Sequence, residues 1–417
     1  MSSRLRRFAL DVTPLRVSPA YRRLWLGLLA STTGSQFTLV AVFIQLTERT
    51  GSAVVVGSSG VAYLVGIVAG TLAFGPVIDV WDRRRLLVLA QVGGMFGVAI
   101  LLVSSLLGET PLGVIYAGLT IAAFFGALDS PARSAMTPRL IGAELIPSAA
   151  ALNQVVWNGS GLIGPAVAGV VVGVLGLPVA YAIDVASLGV MLIAALSLPS
   201  IMPEGAGESP TGLAAIREGF AFVRSSRLLQ STFVIDLIAM IFGMPRALFT
   251  FLIVEQFGRD PAMVGLLFSA PAVGALVGAL TSGWSRGVRH QGRAVIAAVA
   301  VWGAAIALFG WSGSNLWLGL LALALAGWAD VISAIFRSTI LQLAVPDRLR
   351  GRLSAIHILV VTGGPRLGDL EAGLVARAFS STFSVISGGI ACIVGAGLVA
   401  ALYPQLKRYH AVPTEPV

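Results

Sequence analysis

Apolar runs long enough to cross a bilayer follow one another along the whole chain, and no other feature restricts its fold so tightly. Hydrocarbon is about 30 Å thick and a helix rises about 1.5 Å per residue, so a run of roughly 20 residues crosses once. Such runs fall at 24–46, 54–78, 86–107, 113–135, 147–175, 178–198, 229–254, 262–284, 294–311, 315–337, 352–378 and 381–403. Of the 417 residues 56% are hydrophobic and 11% charged, whereas about a quarter are charged in a soluble domain. Lipid is therefore the principal solvent. The 49 glycines fit that setting, because small residues let helices approach closely and glycine is tolerated within spans. The fold class expected is an all-α membrane protein of twelve transmembrane helices.

Charge follows orientation. Cytoplasmic loops hold the arginine and lysine excess. Assigning alternate loops to opposite sides leaves Arg49, Arg246, Arg259 and Arg377 at or near the outside and Arg366 in a span, while every other one of the 28 basic residues falls inside. Both termini are then cytoplasmic, and the number of crossings is even. This asymmetry accounts for the net charge of +9. The arginines form no patch with interleaved aromatics, so nucleic acid is not an expected partner. Before the first run stand Arg4, Arg6, Arg7, Arg16, Arg22 and Arg23. No small-residue cleavage site follows a short apolar core, which predicts a retained first helix rather than a signal peptide.

Several chemistries are excluded. The single cysteine, Cys392, leaves no internal disulfide framework and no multi-thiolate metal site. Lys407 is the only lysine and follows no glycine-rich phosphate loop, and the three histidines lack metal-ligand spacing. Neither an enzyme nor a cofactor is expected.

One long polar stretch, Pro199 to Leu228, divides the chain. It begins with the Pro/Gly/Glu-rich run Pro203–Pro210 and continues with Leu213, Ile216, Phe220 and Val223 at helical spacing against Arg217, Glu218 and Arg224. An amphipathic helix on the cytoplasmic surface is predicted there. The organisation expected is a six-helix bundle at 1–198, a linker at 199–228, a second bundle at 229–403 and a tail at 404–417. The halves also repeat. A shift of 204 aligns Arg133-Ser134 with Arg337-Ser338, Gly159 with Gly363, Gly164 with Gly368 and Gly169 with Gly373. A shift of 208 aligns Gly57, Gly66, Gly70 and Gly75 with Gly265, Gly274, Gly278 and Gly283. Six helices plus six is the parallel-repeat plan of alternating-access transporters.

After the second run the chain reads Gly75-Pro-Val-Ile-Asp79-Val-Trp-Asp82-Arg83-Arg84-Arg85. This resembles the loop motif of the major facilitator superfamily, except that Val80 replaces a basic residue and Asp82 a glycine. A carboxylate at a helix end with arginines one turn on can grip and release the opposite half, which makes Asp79 and Arg83 gating candidates. The fourth and fifth spans, Ala127-Leu-Asp129-Ser-Pro-Ala-Arg133-Ser-Ala-Met-Thr-Pro138 and onward to Gly164-Pro165-Ala-Val-Ala168-Gly169, resemble the enterobactin-exporter and macrolide-efflux branch of that superfamily. Arg337-Ser-Thr-Ile-Leu-Gln342 and Gly364-Pro365-Arg366-Leu-Gly368-Asp369 extend the likeness to the second half. Ser160 with Gly164, Pro165, Ala168 and Gly169 is similar to a fifth-helix pattern of antiporters, which implies export. Close helix packing would use Gly66, Gly70, Gly164, Pro165 and Gly169 equally well.

Ionisable groups within spans are costly, and each calls for a partner, a cavity or a task. Asp129 and Arg133 are four apart, and Asp330 and Arg337 seven apart, so each pair shares a helical face and is a candidate for gating or charge relay. The resemblance adds Arg83 with Asp129 as a cross-helix pair. Asp236, a third of the way into the seventh span, has no basic residue one turn away. It is read either as the proton-carrying carboxylate, since apolar surroundings favour the neutral acid, or as a salt-bridge partner of Arg246. Arg366 and Asp369 can neutralise each other, which leaves Glu371 to pair with Arg377 or to titrate; Glu371 and Asp369 stand beside Asp236 as proton-coupling candidates. His357 is read as a packing residue and Asp184 as a structural cap. Gln36, Asn153, Asn158 and Arg366 are candidates for the substrate cavity. The function expected is proton-driven export of amphipathic small molecules such as drugs or siderophores from a bacterial cell membrane, by a monomer whose energy source is the proton gradient. Import by symport, or a membrane sensor or lipid scramblase, are the alternatives.

Overall fold

The computed structural model describes residues 11–78, 80–108, 111–202, 213–345 and 347–410. All regular structure among them is helical. The membrane helices are α1 (Pro19–Thr50), α2 (Ala53–Ile78), α3 (Arg83–Leu106), α4 (Leu112–Ile141), α5 (Ala143–Leu175), α6 (Leu177–Leu196), α7 (Arg227–Glu255), α8 (Pro261–Ser285), α9 (Gln291–Trp311), α10 (Leu316–Ala344), α11 (Asp347–Ala378) and α12 (Ser381–Leu402). Eleven are long and apolar enough to span by composition alone. The remaining one, α11, has 32 residues, and Arg366, Asp369 and Glu371 dilute its apolar character.

Helix ends follow local chemistry. Asp82 caps α3, Asn315 caps α10 and Ser380 caps α12, each side-chain oxygen accepting a first-turn N–H that has no partner within the helix. Gly142 and Gly176, at φ of 78° and 85°, take the left-handed backbone that stops one helix before the next begins. Two spans that the sequence reads as continuous are broken. Within α4, helix Leu112–Gly126 gives way at Ala127-Leu128 to helix Asp129–Ile141. Within α7, helix Arg227–Phe242 ends at Gly243 and a short 3-10 turn, Arg246–Leu248, leads into Phe249–Glu255. Pro245 offers no N–H and drives Met244 away from helical backbone, which accounts for the second break.

The helices form two compact units. One comprises residues 1–42 and 62–209, the other 43–61 and 210–417. The end of α1 and the start of α2 pack within the second unit. Thr47 Oγ1 lies 2.7 Å from Thr250 Oγ1, and Phe43 lies against Phe268. The glycine faces of Gly57 and Gly60 rest on the α11 backbone at Asp369 and Arg366.

Within each unit the packing obeys the repeat. In the first, α3 packs on α4 and α6, and α5 on α6; in the second, α9 packs on α10 and α12, and α11 on α12. Gly66 and Gly70 of α2 abut the carbonyls of Thr120 and Phe124, and Gly274 and Gly278 of α8 abut those of Ala324 and Trp328. The glycines are related by the 208-residue shift and their partners by the 204-residue shift, so the indel between the two shifts falls between those helices. The connector helix Leu213–Ser225 is formed as expected. Its Val223 is buried with Leu229, Phe233, Val345, Leu353 and Ile356 in the second unit, while Phe220 is exposed. The Pro203–Pro210 run lies outside the described residues.

Candidate functional site: buried charges in the second unit

Three helices of the second unit bring ionisable groups to one place. Asp236 of α7 and Arg337 of α10 are 1% and 3% exposed, and Arg337 Nη1 stands 2.7 Å from Asp236 Oδ1. The contact is off the hydrogen-bond direction, so both atoms, and Arg337 Nε, remain without a hydrogen bond among the described residues. The other arm of the guanidinium, Nη2, reaches Asp330 Oδ1 at 3.8 Å. From α11, His357 Nδ1 approaches Asp236 Oδ2 at 4.0 Å, and its ring meets Phe233 edge-on. One guanidinium thus serves two carboxylates, with an imidazole on the far side of one of them.

The geometry corrects two expectations. Asp236 is paired with Arg337, not with Arg246. Helix α7 breaks between Asp236 and Arg246, and the charge of Arg246 acts on Asp369 and Asp330 instead. His357, read as a packing residue, faces the carboxylate. The sequence places Asp330 and Arg337 on one face but holds no signal for the α7–α10 contact, because α10 already balances its one arginine with its one acid.

The break in α7 organises a second group of charges. Asp369 of α11, 0% exposed, accepts from Ala247 N at 3.0 Å and so caps the restarting helix. Its Oδ2 has no hydrogen-bond partner among the described residues, and the charges of Arg366 and Arg246 lie nearby. The mutual neutralisation of Arg366 and Asp369 expected from their spacing is therefore only part of the arrangement, since one carboxylate oxygen serves the α7 backbone. Trp302 Nε1 donates to the carbonyl freed at Gly243, at 2.9 Å. Glu371 lies half-buried two residues beyond Asp369 along α11.

In the first unit Asp129 and Arg133 pair as their spacing predicts, at 2.6 Å. The other carboxylate oxygen of Asp129 accepts from Gln91 Nε2 of α3 at 2.9 Å, where the resemblance had offered Arg83. Arg83 instead uses its backbone N–H on the Ile201 carbonyl, and its Nη1 is buried without a hydrogen bond. Asp79 lies outside the described residues. Asp82 receives hydrogen bonds from Ser200 Oγ, Ile201 N and Arg84 N, tying the loop after α2 to the chain that leaves α6. Burial pushes its carboxyl up, but those hydrogen bonds and the Arg85 charge outweigh burial and hold it below the usual carboxylate range.

The polar candidates of the first unit lie on α1 and α5. Gln36 packs its stem on Gly164, and Thr33 Oγ1 meets Ser160 Oγ at 2.9 Å. Pro165 and Gly169 are buried beside them. Asn158 Oδ1 accepts from Gln154 Nε2 at 3.1 Å, and Asn153 is half-buried on the same helix. Asp184 is not the helix cap that the sequence suggested. It sits inside α6 and accepts from Thr38 and Ser187 hydroxyls.

The family model described as transmembrane secretion effector matches residues 10–416. An enterobactin exporter, EntS, of Citrobacter koseri is 28% identical over 413 residues, covering 98% of this chain and 97% of its own length. The EntS of Escherichia coli is 27% identical over 412 residues, covering 97% of each. Among solved structures, the nucleoside transporter NupG superposes with a TM-score of 0.73 at 14% identity, covering 94% of this chain and 99% of its own. A bacterial homologue of the iron transporter ferroportin in its inward-facing state gives 0.68 at 14% identity, covering 94% and 99%. These two likenesses concern the fold, which is that of the major facilitator transporters.

Proposed function

We propose that this chain, which belongs to the transmembrane secretion effector family, exports amphipathic small molecules of the siderophore or drug class in exchange for protons. It is a multi-pass membrane transporter and not an enzyme. Export is favoured by the relatives, both of them named enterobactin exporters, and the reading places the chain as a monomer in the bacterial inner membrane with both termini in the cytoplasm.

The observation that carries proton coupling is the arrangement of Asp236, Asp330 and Arg337. With both acids ionised the trio holds two negative charges and one positive. Asp236 is buried and Arg337 is its close cation, whereas Asp330 is part-exposed and also feels the charge of Arg246, so keeping Asp236 ionised depends on an arginine that it shares. Binding a single proton makes the trio neutral. If the proton goes to Asp236, the pull of that carboxylate on Arg337 vanishes while that of Asp330 remains, so the guanidinium moves along its own helix face and α7 is freed from α10. His357 adjoins the same carboxylate and offers the proton a way in or out. Protonation and helix contact are then one event, as exchange requires.

Everted membrane vesicles with an acidic interior test this reading. A catecholate siderophore or a lipophilic drug should accumulate inside, and a protonophore should abolish the accumulation. Gradient-driven accumulation in right-side-out vesicles alone would establish import instead.

A further inference from the structure

The first unit contains a carboxyl group with no part in the exchange just described. Asp184 is 3% exposed and sits on α6 where that helix meets α1. Its Oδ2 accepts from Thr38 Oγ1 of α1, and its Oδ1 from Ser187 Oγ at 3.1 Å. The Ser187 hydroxyl is also 2.8 Å from the Asp184 carbonyl, to which it can donate instead. At Gly34 the helices touch so closely that a Cβ would overlap both Ser187 Oγ and Asp184 Oδ1. No room remains for a solvating water on that side.

Charged groups lie far off on each element that packs here. On α1 they are Arg22 and Arg23 towards one end and Glu48 and Arg49 at the other. Glu48 is ten residues from Thr38, about 15 Å along the axis. On α3 they are Arg83, Arg84 and Arg85 in the first turn, and on α5 only Glu144 at the start. Asp184 is the only charged residue of α6, and Tyr181, buried one turn away, is the nearest titratable neighbour on that helix. The side chains that act on the carboxyl are the two hydroxyls.

An ionised carboxylate presents about four acceptor sites and, when buried, needs a cation or several donors. Two hydroxyls do not meet that need. A neutral acid needs one acceptor for its O–H, and each hydroxyl here can accept once it donates elsewhere. Ser187 has the Asp184 carbonyl for that purpose.

We propose that Asp184 is a proton-binding site of the first unit, occupied while α1 and α6 are in contact and emptied only when they part along Gly34 and Thr38. Thr38, Gly34 and Asp184 all belong to the first unit, so the proton is held within that unit. This assignment is independent of the role given to Asp236 and stands if that role fails.

Infrared difference spectra of the full-length protein in lipid nanodiscs, wild type against Asp184→Asn, provide the test. At neutral pH the wild type should show the carbonyl stretch of a protonated carboxylic acid, shifted in deuterated water and absent from the variant, and the band should fade on alkalinisation. Thr38→Val keeps the acid and removes one donor to its charged form, so its band should persist to higher pH. This second variant keeps the proposal testable if the first fails to fold. A carboxylate band at neutral pH in the wild type, or loss of the acid band at lower pH in Thr38→Val, would overturn the assignment.

Discussion

At the residue scale, the account depends on Arg337 serving two acids. Replacing it with methionine leaves the buried Asp236 without its arginine, while Asp330, part-exposed, keeps the charge of Arg246. Stranding buried charge in this way costs on the order of 3–5 kcal/mol, so thermal unfolding should show marked destabilisation. The double variant Asp236→Asn with Arg337→Met should recover the part of that loss that belongs to Asp236, while Asp330 still lacks the arginine. Failure of the second substitution to restore stability would show that the pair is not coupled. Asp82 makes a different prediction. Its carboxyl lies below the usual range, so its contribution to stability is present above the unfolded-state pKa of about 3.9 and is lost as pH falls through the lower folded value. Asp82→Ala should cost roughly 1–2 kcal/mol as a lost cap, and the difference from wild type should vanish in acid. The Asp129–Arg133 pair was legible because four residues make one helical turn. The Asp236–Arg337 pair was not, because helical periodicity says which residues share a face but not which faces of α7 and α10 meet.

At the element scale, glycine positions say which helices touch. Gly274 abuts the Ala324 carbonyl, and a methyl group there would push α8 from α10. Gly274→Ala should therefore destabilise by about 1–3 kcal/mol through overpacking. Gly283→Ala, where no heavy atom lies within 4 Å of a built Cβ, should leave the unfolding temperature unchanged. Both glycines align in the sequence repeat, and only packing separates a contact glycine from one that the repeat merely carries along. Span positions were readable from apolar length. The break in α7 was not read, because the apolar run 229–254 continues over Pro245. What the run concealed was that Asp369 and Trp302 would satisfy the backbone groups freed there.

At the scale of the whole molecule, two similar bundles have been put to different use. Arg133 and Arg337 are equivalent by the 204-residue shift, yet Arg133 turns to Asp129 on its own helix while Arg337 crosses to Asp236 on another. A pair within one helix fixes that helix; a pair between helices can be opened by a proton. The duplication was visible in the sequence, and so was the twelve-helix plan. The division of labour was not, because it arises from which partner each arginine reaches. Proteoliposomes that report internal pH and substrate content together address this most directly. In the wild type an imposed proton gradient should drive substrate uphill with protons moving the opposite way. Asp236→Asn should still exchange labelled for unlabelled substrate but should neither accumulate substrate nor move protons. Undiminished gradient-driven accumulation by Asp236→Asn would contradict the account.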